Sequence, residues 1–150
     1  MATLKDRLET DMRSAMKERD ELRTGTLRMT LTAIRNAEVA GKTARELSDD
    51  EVLAVVAKEA KKRRESALAF TEGNRPELAE RELAEEQILT VYLPVPLTDD
   101  ELAGIVAEAL AAGSFEGPKA LGQAMKAAQA AVAGRAEGGR VAAEVRRQLG

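Results

Sequence analysis

The chain has 150 residues, of which 44% are hydrophobic and 33% charged, and its formal net charge is −3. It contains no cysteine and no histidine, which removes disulfides, thiolate metal sites and the commonest general base together. With one Tyr, two Phe and no Trp, stacking of bases on aromatic side chains has little to work with.

This length holds one ordinary domain or two small ones and can bury a core. The abundance of Ala, Glu, Leu, Lys and Arg, with no stretch that alternates apolar and polar residues, predicts an all-α protein. No apolar run approaches the roughly 20 residues of a membrane span. The first residues, Met-Ala-Thr-Leu-Lys-Asp, show no signal-peptide apolar region. A soluble, cytoplasmic protein that needs no membrane is the expectation.

A first helix is predicted from about Thr3, with Leu4, Leu8, Met12, Ala15 and Met16 as its apolar stripe. Asp20 is positioned to cap a second, with Leu22, Leu27, Leu31, Ile34 and Ala37 facing the core and an end by Gly41. Only Lys17 to Asp20 separates the two, which leaves a hairpin and one bent helix both open. Ser48-Asp-Asp-Glu51 reads as a capping box opening the longest helix, to about Gly73, buried through Val52, Val55, Val56, Ala60, Ala67 and Phe70. Asn74-Arg-Pro-Glu77 starts the next, with Leu78, Leu83, Ile88 and Val91 as its stripe. The short turn between these two helices favours an antiparallel hairpin.

Pro94 and Pro96 then interrupt the chain. Proline lacks the helical N–H and pushes its predecessor towards extended geometry. Residues 94–97 are therefore expected to be a hinge between an N-terminal helical bundle, residues 1–93, and a small C-terminal three-helix domain, residues 98–150. Thr98-Asp-Asp-Glu101 is another capping box, followed by Leu102, Ile105, Val106, Ala109 and Leu110 up to Gly113. Gly117-Pro118 opens a helix with Leu121, Met125, Ala128 and Val132, stopped by Gly134. Val141, Val145 and Leu149 mark the last one. A core of this size, rich in alanine, predicts that the C-terminal part is the less stable.

Catalytic constellations are mostly excluded. The four serines, Ser14, Ser48, Ser66 and Ser114, have no evident activating base. No phosphate-binding GxxxxGK[ST] loop occurs, and no GxGxxG after a strand. The Asp49-Asp50 and Asp99-Asp100 pairs belong to capping boxes, where carboxylates meet the helix dipole favourably. No cofactor, metal or small-molecule substrate is expected.

Two basic features remain. Lys58 to Arg64 holds five cations in seven positions, among them Lys61, Lys62, Arg63 and Arg64. It reads either as a solvated face paired at i, i+4 or as a ridge that contacts phosphates. Residues 117–150 carry Lys119, Lys126, Arg135, Arg140, Arg146 and Arg147 against only Glu137 and Glu144. Here Gly134-Arg-Ala-Glu-Gly-Gly-Arg140 is a glycine-rich turn before a helix N-terminus, an arrangement that favours phosphate. Its plain alternative is a tight turn with cations for solubility. Any nucleic acid bound would be read through backbone and shape.

Leu22-Arg-Thr-Gly-Thr-Leu-Arg-Met-Thr-Leu-Thr-Ala-Ile-Arg-Asn-Ala-Glu38, Lys61-Lys-Arg-Arg-Glu-Ser66, Tyr92-Leu-Pro94, Gly122-Gln-Ala-Met125 and Gly134-Arg-Ala-Glu-Gly138, in this order, resemble the YqeY-like family. That family is similar to the tail of the B subunit of the glutamine-dependent Asp/Glu-tRNA amidotransferase, and to a module appended to some glutaminyl-tRNA synthetases. The resemblance implies a helical bundle plus a three-helix unit, and a tRNA-facing accessory role without catalysis. Carbon–nitrogen ligase activity with glutamine as amido donor would be inherited in name from the larger enzyme. The implied partners are tRNA and either a synthetase or an amidotransferase. The second reading is a protein-interaction module that docks on such an enzyme.

Overall fold

The computed structural model describes residues 2–150, which form seven α-helices and no strand. The chain divides into two compact units, one ending at Leu93 and one starting at Pro94.

The first unit contains α1 (Leu4–Lys17), α2 (Glu21–Glu38), α3 (Asp49–Glu72) and α4 (Pro76–Thr90). Thr3 and Asp6 form a reciprocal capping box at the start of α1, and the next orphan N–H, that of Leu4, donates to Asp49 at the head of α3. The α1–α2 link is a reversal. Arg19 takes a left-handed conformation, φ 59°, and the Arg19 and Asp20 amides return to the Met16 and Ala15 carbonyls. Asp20 then caps α2 by accepting from the Arg23 amide at 3.0 Å. Lys5 in the first turn of α1 reaches Glu38 in the last turn of α2 at 2.9 Å, so the two helices are separate and antiparallel.

Asn74, φ 63°, turns α3 back into α4 in the same manner, with Pro76 at the first helical position. The core of the unit is Leu8, Leu27, Leu31, Ile34, Val52, Val56, Ala60, Leu89 and Tyr92. Three expected core positions are instead exposed: Met16, Leu83 and Val91. On α4 the reason is geometric. Leu78, Leu83 and Ile88 are spaced by five and drift around the helix, whereas Ala79, Glu86 and Leu89 recur at helical spacing and are the buried set. The inner face of α4 therefore presents carboxylates to α3.

The second unit contains α5 (Asp99–Ala112), a 3-10 turn (Pro118–Ala120), α6 (Leu121–Val132) and α7 (Gly138–Leu149). The turn into Pro118 is left-handed at Gly117, φ 75°, a conformation glycine adopts without strain. The core is Leu97, Leu102, Val106, Leu110, Ala124, Ala128, Val132, Val141 and Val145. Leu97, which the sequence assigns to the hinge, is part of this core, and its amide donates to the Arg135 carbonyl at 2.9 Å. Val95, just before it, is 86% exposed. No helix among the described residues is long and apolar enough to cross a membrane.

Candidate nucleic-acid interface

The second unit separates its charges along the chain. α5 carries Asp99, Asp100, Glu101 and Glu108 and no Lys or Arg. All six cations of the unit fall from Lys119 onward, on the 3-10 turn, α6, the α6–α7 link and α7. For Asp99, Asp100 and Glu101 the cap is the reason. Thr98 and Glu101 form a reciprocal box at the start of α5, which concentrates acid where the helix dipole is positive.

The six cations do different work. Lys119, Lys126 and Arg146 are exposed, and their side chains make no hydrogen bond or ion pair among the described residues. Arg135 is half-buried, and its guanidinium donates to the Val132 carbonyl at 3.0 Å and the Ala131 carbonyl at 3.3 Å. It closes the C-terminal end of α6, where a cation meets the negative end of the dipole. Arg140 donates to the Leu97 carbonyl at 2.9 Å and to Asp99 at 3.0 Å, tying α7 to the segment before α5. Arg147 is exposed but forks onto Glu144. That pairing, with Gln148, holds the Glu144 carboxyl down at about 2. α7 opens at Gly138-Gly139 without a side-chain cap, and both glycines are exposed.

The second set, Lys61 to Arg64, is not a ridge. Arg63 is 4% exposed and lies between helices. It donates to Glu59 at 2.9 Å, stands 3.5 Å from Glu85 of α4, and reaches the Met29 sulfur at 3.7 Å. It has no surface to offer a phosphate. Arg64 pairs with Glu86 of α4 at 2.8 Å. Lys61 and Lys62 are exposed beside Glu65 and Glu59, at 4.0 and 3.6 Å. Nearby, burial and the neighbouring Glu85 push the Glu82 carboxyl up, against the pull of Arg63 and Arg81. Glu59 is the i, i+4 partner that the sequence offers to this run, whereas the pairing of Arg63 with Glu85 and of Arg64 with Glu86 on α4 is not visible in the sequence. The Glu59–Arg63 pair is four apart on one helix face, a spacing that the sequence shows.

Among the described residues no cluster of His, Cys, Asp or Glu is arranged to hold a metal ion. The arrangement is thus an all-helical, two-unit fold with unpaired cations on the second half of its second unit. Residues 5–149 match the family model described as Yqey-like protein, and the chain belongs to that family. It is also similar to the protein called "Altered inheritance of mitochondria protein 41, mitochondrial" in two yeasts. The Kluyveromyces lactis protein is 33% identical over 102 residues, 66% of this chain and 55% of that protein. The Clavispora lusitaniae protein is 33% identical over 95 residues, 63% of this chain and 54% of that protein. The chain spans about half the length of these curated relatives.

Proposed function

We propose that this chain is a non-catalytic accessory protein that binds the tRNA backbone through the second half of its second unit. The observation that carries the reading is the segregation of charge. α5 has four carboxylates and no cation, whereas Lys119, Lys126 and Arg146 stand exposed and unpaired beyond it. Exposed cations with no internal partner are free to exchange counterions for phosphates. The uncapped, glycine-led start of α7 adds N–H donors of the kind phosphate accepts.

Arg135, Arg140 and Arg147 have a supporting part in this proposal, since each already serves a carbonyl or a carboxylate of its own unit. Lys61 and Lys62 are a secondary contact, and Arg63 and Arg64 are not contacts. A synthetase or an amidotransferase is the kind of enzyme such an accessory would serve. A cytoplasmic place of action belongs to the proposal, while the mitochondrial address in the names of the two yeast proteins is theirs. The testing experiment is tRNA binding by the full chain and by a Lys119/Lys126/Arg146→Glu variant across salt. Binding that the variant retains unchanged refutes the reading.

A further inference from the structure

Gly25 sits inside α2, where glycine costs roughly 1 kcal/mol relative to alanine. Nothing in its own unit requires it. Its φ is not in the left-handed region, and a Cβ added there would meet nothing within 4 Å. It lines a groove of about 390 Å³ together with Met16, Arg19, Glu21, Thr24 and Arg28. Met16 at one side is 50% exposed, and Met29, one turn beyond Gly25 along α2, is 56% exposed. The side chains of Arg19 and Arg28 make no hydrogen bond or ion pair among the described residues. Between Glu21 and Glu38 the chain holds Arg23, Arg28 and Arg35 and no carboxylate at all.

From these features we infer that the Gly25 face of the first unit docks an acidic amphipathic helix of a partner protein. A bare glycine on a helix surface lets a second helix come close. Flanking methionines supply adaptable apolar contact, and an apolar helix face laid in a groove is a recurring mode of recognition. The cations select the charge of the occupant by complementarity. Glu21, the one carboxylate in the groove, turns the acidic side of that helix towards Arg28 and Arg35. A nucleic acid would use the arginines but leave Gly25 and the exposed Met16 without a role, which favours a polypeptide. The surface lies on the first unit and stands or falls independently of the tRNA reading.

The test uses the full chain with ¹³C-methyl-labelled methionine and a synthetic acidic amphipathic helix of about 18 residues, five turns. The Met16 and Met29 methyl signals are expected to shift on titration while that of Met125, in the second unit, stays. Gly25→Gln is expected to weaken binding about tenfold without lowering the melting temperature, because glutamine is the better helix former. Three results would overturn the inference: no shift of Met16 and Met29, undiminished binding by Gly25→Gln, or a response to a charge-matched RNA duplex in place of the peptide.

Discussion

The Arg63 guanidinium donates to Glu59 at 2.9 Å one turn back along α3, and its Nε faces Glu85 of α4 at 3.5 Å. With Arg63 4% exposed and Glu59 9% exposed, the pair is interior. Removing one member of such a pair strands the other in a poor solvent, at about 3–5 kcal/mol. Arg63→Met is therefore expected to destabilise the first unit by about 3 kcal/mol. Adding Glu59→Gln should restore part of the loss, so that the two changes are non-additive. Urea unfolding followed by tyrosine fluorescence reads this unit, because the chain's one tyrosine is Tyr92. A loss under about 1 kcal/mol would place Arg63 in water, as a surface pair would be.

Much of this fold is legible because its signals are local. Ser48, Thr98 and Asp20 cap helices as their sequence context foretells. The apolar repeats of α2 and α5 fall on the core for the same reason. Leu83 and Val91 are apolar but lie off the buried spacing, and the face that packs on α3 is set by Ala79, Glu86 and Leu89. Arg63 and Arg64 look like surface cations because their partners on α4 are 22 residues away. Arg135 and Arg140 look free for a related reason. Their carbonyl acceptors at Val132 and Leu97 become available only once the α6–α7 link and the Leu97 segment have taken shape. Charge type is written in the sequence, but whether a charge is already engaged is a property of packing.

Tyr92 donates its hydroxyl to Asp11, with the Arg7 guanidinium 4.8 Å from its ring centroid. Burial first, and the Asp11 carboxylate second, push its phenol up to about 12. An absorbance titration near 295 nm sees this one phenol, whose ordinary value is 10.0. Ionisation is expected near pH 12, whereas a midpoint near 10 would mean an exposed ring. The sign for stability follows. The folded value lies above the unfolded one, so this contribution is complete below about pH 10 and is lost as pH rises towards 12. Tyr92→Phe should cost about 1–2 kcal/mol and remove that alkaline loss.

Glu82 shows the same sign in the carboxylate range. Burial and Glu85 raise its affinity for a proton in the folded state. Protonation therefore favours folding, and stability from this group falls as pH rises through the carboxylate range. Glu82→Gln is expected to stabilise the first unit by about 0.5 kcal/mol at pH 7, the scale of one partly exposed charge. The gain should vanish below about pH 4, where the native carboxyl is itself neutral. Melting curves of both proteins at the two pH values decide it. A variant less stable at pH 7 would contradict the assignment.

Whether Lys119, Lys126 and Arg146 meet phosphates, as proposed, is read from a salt titration of tRNA binding. For the full chain, log affinity is expected to fall linearly with log salt, each neutralised phosphate adding about 0.7–0.9 to the slope. Changing the three cations to Glu should flatten that slope by about 2–3 and weaken binding at low salt, with the helical signal and melting curve kept. An unchanged slope in the variant, or no tRNA binding by the native chain at low salt, would rule out a phosphate-binding role for these three cations.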